Sequence, residues 1–398
     1  MNNRAGWLDP VTTPLALYIH IPWCIKKCPY CDFNSHVHSP LPAPGPGKPA
    51  ANAELPEQAY LNALLADLDE DLRVFTQRPS LHSIFIGGGT PSLLSAGFYQ
   101  QLLVAIQQRL VFSPHMEVTL EANPGTVDEA NFAGFRAAGI NRLSLGVQSF
   151  SNPALQQLGR IHSSDDAVRA FAKARDAGFT NINLDLMHGL PGQQLQDAVA
   201  DIERALALQP EHISWYQLTI ERNTEFYSRP PRLPDEPVLL SIQASGLELL
   251  RRHGYQQYEV SAFALDGFAS QHNLNYWQFG DYLGIGAGAH GKLDCEGEIT
   301  RRWKTRVPAA YLNSECRVAG TQVIAPQQLA VEFMMNALRL KQGFEVGLFS
   351  QRTGLPYSDI AGRVQQLVEQ ELMCLQGDRI AASERGWLFL NDVIAEFA

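Results

Sequence analysis

Residues 15–31 read LALYIHIPWCIKKCPYC, an apolar, β-branched run that leads directly into three closely spaced cysteines. The run predicts a buried strand, and Cys24, Cys28 and Cys31 follow it. Three thiolates can bind a cubane 4Fe-4S cluster and leave its fourth iron without a protein ligand, whereas a cluster that only transfers electrons usually takes four cysteines. The stretch therefore predicts a first β–α unit that ends at a chemically reactive cluster.

Two other interpretations of the cysteines stay open. A zinc site of the Cys3His type is one of them, with His20, His36 or His38 as the fourth ligand. A disulfide is the other, but six cysteines in 398 residues are sparse, and the polar start MNNRAGWLDPVTTP does not resemble a secretory segment. We therefore expect a cytoplasmic protein with reduced thiols.

The composition describes an ordinary globular chain of about two domains, with 45% hydrophobic and 18% charged residues. The net charge of −10 argues against nucleic acid as a partner, because nucleic-acid binding depends largely on neutralised phosphates. No stretch is long and apolar enough to span a membrane.

From residue 15 to about 220, short apolar runs alternate with amphipathic segments. This alternation predicts an α/β fold of six β–α units, with a parallel sheet and helices packed outside it. The right-handed crossover rule then allows an open doubly wound sheet or a barrel. The six predicted strands contain the sequences LALYIH, HSIFIG, EVTLEA, RLSLGV, NINLDLM and HISWYQL.

Each predicted strand is associated with a polar or glycine-rich group near its carboxyl end. In strand order these are Cys24, the motif GGGTP at residues 87–91, Glu121, Gln148, Asp185 and Thr219. The outermost strand ends of an open six-stranded sheet would lie roughly 20 Å apart. A single site that uses all six ends favours a partial (β/α)6 barrel of the TIM type, whose active sites lie at this end.

The domain prediction begins with an N-terminal tail at residues 1–14 and a barrel with its extension at residues 15–300. Residues 39–56 contain six prolines, so we expect an exposed insertion there, a solvated spacer rather than a proline-rich partner motif.

A small α+β, winged-helix-like domain is predicted for residues 310–398, with a hairpin that turns at Gly377 and Asp378. Residues 327–398 contain six Lys and Arg against nine Asp and Glu. This acidic balance favours a docking or lid domain over a DNA-binding one.

The polar groups at the strand ends suggest a bound ligand. GGGTP lacks the lysine of a phosphate-binding loop, but its glycines allow close backbone approach to a ligand. Glu121 and Asp185 would be costly to bury without a partner. That partner could be a cationic ligand, the two could serve as an acid–base pair, or they could form salt bridges to Arg142 or Arg160. Gln148 could bind a ribose or cap the next turn.

The spacing CxxxCxxC resembles the signature of the radical S-adenosylmethionine (SAM) superfamily, in which SAM occupies the open iron. Further motifs resemble the family that includes the oxygen-independent coproporphyrinogen dehydrogenase HemN and the haem chaperone HemW. In chain order they are YIHIPWC, CPYCDFNSH, IFIGGGTPS, EANPG, RLSLGVQSF, LGRIH and NLDLMHGLPGQ.

The resemblance implies two sets of cofactor ligands. Cys24, Cys28 and Cys31 would bind the 4Fe-4S cluster. The residues that would surround SAM are Tyr18, Tyr30, Gly88, Gly89, Thr90, Glu121, Gln148, Arg160, Asp185 and Thr219.

Local features distinguish the branches of this family. Phe33 stands where the dehydrogenase branch carries a fourth cysteine, and only 17 residues precede Tyr18. We expect both departures to count against porphyrinogen decarboxylation. HNLNYW, which begins at His272, matches the HNxxYW motif of the chaperone branch. His272 is then the predicted haem ligand, and Tyr276 and Trp277 would pack on the porphyrin.

These features lead to two functional hypotheses. The first is a haem chaperone that carries the cluster and SAM, binds haem and transfers it to an acceptor protein, which could itself be membrane-bound. The alternative is a radical SAM enzyme that acts on a porphyrinogen or another small substrate. His290 and Cys295 are rival haem ligands.

Overall fold

The structure is a computed structural model that describes residues 15–38, 55–125, 129–295 and 297–398. The predicted tail at residues 1–14 lies outside the described residues, as does most of the predicted insertion, at residues 39–54. Within the described ranges, no helix is both long and apolar enough to cross a membrane.

Strands and helices alternate through the first half of the chain. The strands are β1 Leu15–Ile21, β2 Trp23–Cys24, β3 His36–Val37, β4 Ser80–Gly88, β5 Val111–Ala122, β6 Arg142–Gln148, β7 Ile182–His188, β8 His212–Gln217, β9 Gln256–Glu259, β10 Ala262–Ala264, β11 Asp281–Ile285, β12 His290–Cys295, β13 Glu298–Lys304, β14 Val318–Val323, β15 Phe344–Glu345, β16 Met373–Gln376 and β17 Arg379–Ala382. The helices are α1 Glu57–Asp71, α2 Ala96–Arg109, α3 Glu129–Ala138, α4 Asn152–Gln157, α5 Ser164–Asp176, α6 Leu195–Leu208, α7 Glu225–Ser228, α8 Glu236–Arg252, α9 Gln271–Trp277, α10 Pro308–Asn313, α11 Pro326–Ala337, α12 Val346–Thr353, α13 Ser358–Glu369, α14 Glu384–Leu388 and α15 Leu390–Ala395.

Six parallel strands form the centre of the large sheet in the order β1-β4-β5-β6-β7-β8. Helices separate them along the chain, which confirms the predicted α/β fold of six β–α units. Strand β6 is buried at all seven of its residues, as expected for a parallel strand covered on both faces.

Antiparallel strands widen the sheet beyond this centre. On one side β11 pairs parallel with β1, and β12, β13 and β14 follow in antiparallel order; on the other side β10 and β9 follow β8. The described strands of this sheet number twelve. The sheet must curve, because Cys24, which follows β1, and Tyr216, near the end of β8, line one cavity, although a flat sheet would hold the ends of those strands roughly 20 Å apart.

The C-terminal part has its own small sheet, in the order β15-β17-β16, and its own apolar core around Phe333, Phe344 and Phe349. Strands β16 and β17 form the predicted hairpin. The domain limits stay predictions; because β14 still pairs with the large sheet, we propose that the C-terminal domain begins after Val323.

A buried ion cluster joins α1 to the widened edge of the sheet. Lys304 Nζ lies 2.6 Å from Asp67 Oδ1 and 2.8 Å from Asp71 Oδ1, and these side chains are at most 3% exposed. Tyr311 donates its hydroxyl to Asp67 Oδ2 at 2.6 Å, and the Gly286 amide donates to the same oxygen at 3.1 Å. The cluster therefore fixes the turn between β11 and β12 on α1.

We predict that Lys304→Met destabilises the protein by about 3–5 kcal/mol, because the buried Asp67 would lose its cation and Asp71 would keep only Arg302, at 3.6 Å. Urea unfolding followed by circular dichroism measures this. Arg252→Met removes an exposed helix cation and should leave the midpoint unchanged. An equally small effect of Lys304→Met would show that the buried cluster contributes nothing to stability.

Candidate functional site

A cavity of about 260 Å³ lies at the carboxyl ends of the central strands. The residues that line it are Cys24, Lys26, Lys27, Cys28, Tyr30, Cys31, Phe33, Ser35, Gly88, Gly89, Thr90, Pro91, Glu121, Ala122, Asn123, Ser144, Gly146, Gln148, Arg160, Asp185 and Tyr216. One cavity thus collects most of the side chains predicted at the strand ends. We call this cavity the mouth of the barrel.

All three predicted cluster ligands face the mouth. Cys24 is buried at the end of β2, and Cys28 and Cys31 are half-buried. Burial raises the pKa of the Cys24 and Cys31 thiols, although the hydroxyl of Ser35 offsets part of that rise. Arg160 donates from Nη1 to Cys28 Sγ at 3.6 Å, which places a guanidinium beside the cysteines.

The donor set suits a cluster better than a single ion. Among the described residues, no group of three or more His, Cys, Asp or Glu side chains is arranged to hold one metal ion. This gives no support to the Cys3His zinc interpretation. In a cubane each thiolate binds a different iron, so three cysteines around one cavity need not converge on a point.

The GGGTP motif is bound to the segment that leads into the cysteines. The amide of Gly89 donates to Ile21 O at 2.6 Å, and that of Thr90 donates to Trp23 O at 2.7 Å. The space that the glycines leave is taken partly by protein: a Cβ on Gly88 would lie 2.5 Å from the His20 ring, and one on Gly89 would lie 2.4 Å from Trp23 O. The glycines thus allow segments of the chain to approach each other, in addition to the close ligand approach that we predicted.

Two carboxyl groups face the mouth without a cation. Burial and the neighbouring Asp185 raise the pKa of Glu121 to about 8. Burial also raises the pKa of Asp185, despite hydrogen bonds such as that from Ser144 Oγ at 2.9 Å. Among the described ion pairs Arg142 instead pairs with Glu117, at 3.9 Å, so a salt bridge from Arg142 or Arg160 does not explain either carboxyl group. An arrangement of this kind favours a cationic ligand.

Gln148 reaches the mouth through an unusual backbone conformation. Its φ of 69° lies in the left-handed region, which is rarely populated by residues other than glycine. Its Oε1 accepts a hydrogen bond from the Tyr216 hydroxyl at 2.7 Å. Sequence analysis missed Tyr216 and Ser144. Ser144 could have been predicted from the sequence, because Ser144, Gly146 and Gln148 alternate along one face of β6.

Two of the residues predicted to surround SAM are not among those that line the mouth. Tyr18 lies in the middle of β1, and its hydroxyl bonds to His20 Nδ1 at 2.9 Å. Thr219 is exposed and donates to Glu221 Oε1 at 2.9 Å. The structure therefore does not bring Thr219 to the cavity, since the chain turns outward after β8.

His272 lies at the opposite end of the barrel. It is 1% exposed, and its Nδ1 is 3.1 Å from Ser83 Oγ while its Nε2 is 3.0 Å from Tyr276 Oη. Ser83 stands near the start of β4 and Gly88 at its end, a span of about 16 Å. Burial lowers the pKa of His272 to about 3, so the imidazole is neutral.

The HNxxYW segment forms α9, which closes the amino end of the barrel. The carboxylate of Glu117 on β5 accepts hydrogen bonds from Ser270 Oγ and from the amides of Gln271 and His272, at 3.1–3.2 Å. These bonds satisfy the first turn of the helix. As the structure stands, both ring nitrogens of His272 are occupied, so iron ligation requires the side chain to leave its partners.

A second cavity, of about 170 Å³, lies between α9, the widened edge of the sheet and α11. Its lining residues are Tyr276, Trp277, Phe279, Gly280, Tyr282, Lys292, Arg301 and Asn336. The Trp277 indole N–H is buried without a hydrogen-bond partner. Arg339 lies 4.4 Å above the same ring. We call this space the aromatic cavity.

The cations of the aromatic cavity are paired. Lys292 Nζ lies 2.9 Å from Asp281 Oδ1 and 4.4 Å from the centre of the Phe279 ring. Arg301 forms an ion pair with Glu332. Both cations retain further N–H donors for a carboxylate ligand.

Comparison with known proteins identifies two domains. The family described as the radical SAM superfamily matches residues 18–205, and the HemN C-terminal domain matches residues 324–389. The solved structure of coproporphyrinogen III oxidase, HemN, of Escherichia coli, described as a radical SAM enzyme, superposes with a TM-score of 0.78 at 20% identity. That match covers 98% of this chain and 91% of HemN, and it confirms the fold.

Curated relatives match over nearly the whole chain. The protein of Haemophilus influenzae named heme chaperone HemW is 48% identical, over 98% of this chain and 99% of its own length. The heme chaperone HemW of Escherichia coli is 46% identical over 96% and 98%. A protein of the same name in Mycobacterium tuberculosis is 33% identical over 96% and 94%.

We predict that a cationic ligand binds the mouth more tightly as pH rises from about 6 to about 8, by up to tenfold per pH unit. Glu121 is protonated in the empty protein below its pKa of about 8, and a bound cation would release that proton. Isothermal titration with SAM across this range measures the effect, and Glu121→Gln should abolish the slope.

Asp201→Asn is the matched control for this titration. Burial raises the pKa of Asp201 to about 6, but its carboxylate bonds to Ser149 Oγ and the Phe150 amide, and it is not among the residues that line the mouth. Persistence of the slope in Glu121→Gln would assign the pH dependence to another group.

Proposed function

The chain belongs to the HemW family of radical SAM proteins, and from this premise we propose that it is a haem chaperone that binds haem and transfers it to an acceptor protein. The single observation that carries the proposal is the match to proteins of that name over the full chain. The convergence of three cysteines on the mouth supports a 4Fe-4S cluster and SAM as its cofactors.

The proposed cluster ligands are Cys24, Cys28 and Cys31. When bound, such a cluster supplies redox chemistry and an open iron for a further ligand. Burial raises the pKa of the Cys24 thiol, and hydrogen bonds from the hydroxyls of Thr90 and Ser35 offset part of that rise. Arg160 donates a hydrogen bond to Cys28 Sγ at 3.6 Å.

The proposed SAM-binding residues form two walls of the mouth. Gly88, Gly89 and Thr90 present backbone on one wall, where Gly88 N also donates to Glu121 Oε2 at 3.1 Å. Glu121 and Asp185 supply the negative charge that a sulfonium and an ammonium would stabilise. Tyr30, Gln148, Arg160 and Tyr216 offer polar contacts around the rest of the cavity.

We propose that haem binds at the aromatic cavity. Haem is a flat apolar ring that carries carboxylates, and this cavity combines the rings of Tyr276 and Trp277 with the cations of Lys292 and Arg301. Its volume of about 170 Å³ admits an edge of the porphyrin, so the rest of the ring would require α9 to move. Such a movement would also free His272 from Ser83.

The acceptor protein is proposed from the relatives' name alone, and its identity does not follow from the residues described. The proposal of a cytoplasmic location rests on the need for reduced thiols at the cluster. The acidic net charge of −10 supports the proposal that nucleic acid is not a partner.

We predict that alanine substitution of Cys24, Cys28 or Cys31 removes the cluster's absorbance at about 400 nm, because each thiolate binds its own iron. Iron and sulfide analysis after anaerobic reconstitution checks this. Cys374→Ala is the control, because that thiol lies in the C-terminal hairpin and donates to Ala381 O. A full iron and sulfide load in all three variants would exclude the cluster assignment.

We predict that haem titration of the reconstituted protein saturates at an equimolar ratio, and that Trp277→Leu weakens binding about tenfold through loss of ring contact. His272→Ala should alter the haem absorbance spectrum, because the ring is the predicted iron ligand. His253→Ala removes an exposed imidazole from the end of α8 and should change neither quantity.

Other outcomes of this titration are equally informative. An unchanged spectrum in His272→Ala would show that another residue binds the haem iron, and His290 and Cys295 would then be substituted in turn. If no saturable haem binding occurs and SAM is cleaved in the presence of a porphyrinogen, the radical enzyme becomes the better description.

A further inference from the structure

Asn34 follows the last predicted cluster cysteine by three residues. It forms hydrogen bonds with three separate parts of the chain, at His20, Ala287 and Arg306. We propose that Asn34 is a positioning residue that holds the cysteine loop, residues 24–31, against the turn at residues 286–290. This proposal rests on the proposed function, because it assigns a role in positioning the cluster that the cysteines would bind.

The Asn34 side chain ties the cysteine loop to the far edge of the sheet. Its Nδ2 donates to Ala287 O at 2.8 Å and to Arg306 O at 2.9 Å, so both amide hydrogens are used. Its Oδ1 accepts from His36 Nε2 at 3.3 Å. Partners that are more than 250 residues away in sequence are thus joined to the segment that directly follows the loop.

The Asn34 backbone connects the same loop to the GGGTP motif through His20. The carbonyl of Asn34 accepts from His20 Nε2 at 2.9 Å, which leaves Nδ1 to accept from the Tyr18 hydroxyl at 2.9 Å. His20 is buried, and burial lowers its pKa to about 4, so the ring is neutral. Its ring fills the space beside Gly88, where a Cβ would lie 2.5 Å away.

The turn that receives Asn34 has little freedom to move. Gly286 and Gly288 adopt φ values of 105° and 83°, and a Cβ on Gly288 would lie 2.4 Å from Asn34 Nδ2. The Gly286 amide donates to Asp67 Oδ2 at 3.1 Å, which anchors the turn on the buried ion cluster around Lys304. Asn34 therefore connects an exposed loop to a rigid base.

The cysteine loop itself has few such attachments. Ile25, Lys26 and Lys27 are exposed, and backbone hydrogen bonds fix the loop mainly at its ends, as between His38 N and Cys24 O at 2.9 Å. Phe226 N also donates to Pro29 O, at 3.0 Å. Loss of the Asn34 side chain would therefore change the position of Cys31 relative to GGGTP while leaving the barrel folded.

The test uses the anaerobically reconstituted full chain and compares Asn34→Ala with Asn34→Asp. Aspartate has nearly the same shape as asparagine but cannot donate to Ala287 O or Arg306 O. If Asn34 acts only by packing, Asn34→Asp should behave like wild type; if it acts as a donor, Asn34→Asp should behave like Asn34→Ala. We expect both variants to lose iron to a chelator at least about fivefold faster than wild type. We also expect an altered electron paramagnetic resonance spectrum of the reduced cluster when SAM is added.

Gly288→Ala tests the same contact from the other side, because its Cβ would displace Asn34. It should reproduce the faster iron loss, and it should add nothing further in the Asn34→Ala background. Gly178→Ala is the matched control: its φ of 86° imposes similar backbone strain, but the added Cβ meets no atom within 4 Å.

Two results would overturn the proposal, and they are distinguishable. Suppose that the wild-type protein binds the cluster and that the Asn34 variants lose iron to the chelator at the wild-type rate and show the wild-type spectrum. The positioning role is then wrong and the proposed function stands. If wild type takes up no cluster at all, the cluster assignment fails and the positioning role with it. Circular dichroism of the cluster-free proteins shows whether each variant is folded.

Discussion

The curvature of the parallel sheet is the constraint on which the site depends. Strands β1 and β8 are separated by four others, and only a curved sheet brings Cys24 and Tyr216 to the same cavity. Because each central strand is buried by helices on one side and by its neighbours' side chains on the other, polar groups can face a ligand only at the strand ends. The mouth therefore gathers residues that are far apart in sequence.

The two ends of the barrel have opposite character. The mouth has exposed apolar side chains such as Phe33, which is 58% exposed, and carboxyl groups without cations. At the amino end, Glu117 satisfies the start of α9, and His272 is hydrogen-bonded on both ring nitrogens. Chemistry at the mouth and haem at α9 would thus occupy separate places. A series of ring contacts joins the two ends inside the barrel: Tyr18 contacts Phe85 at 6.4 Å between ring centres, and Phe85 contacts His272 at 5.2 Å.

The strands were predictable from sequence because short apolar, β-branched runs form the buried parallel strands of an α/β fold. The positions of the cysteines and Glu121 at the mouth were also predictable, because these residues follow or end the apolar runs. Tyr216 was missed because an aromatic residue in a strand usually indicates core packing, and only the register of β8 turns it toward Gln148. Thr219 is not among the residues that line the cavity, because it lies beyond the end of β8 at Gln217, where tertiary contacts set the direction of the chain. The burial of His272 also depends on partners that no local pattern reveals.

The ionisation of Glu121 has opposite effects on the stability of the empty protein and on the binding of a cationic ligand. Between pH 4.5, the usual pKa of a glutamate, and about 8, the unfolded chain ionises Glu121 while the folded, empty protein keeps it protonated. Folding then takes up a proton, so this group lowers stability progressively as pH rises through that window. A bound cation reverses the effect, because it restores the ionised form inside the fold. Below about pH 8 the release of that proton lowers the net free energy gained when a cationic ligand enters the site. The buried ion cluster around Lys304 keeps the adjoining turn in place whether or not the mouth is filled.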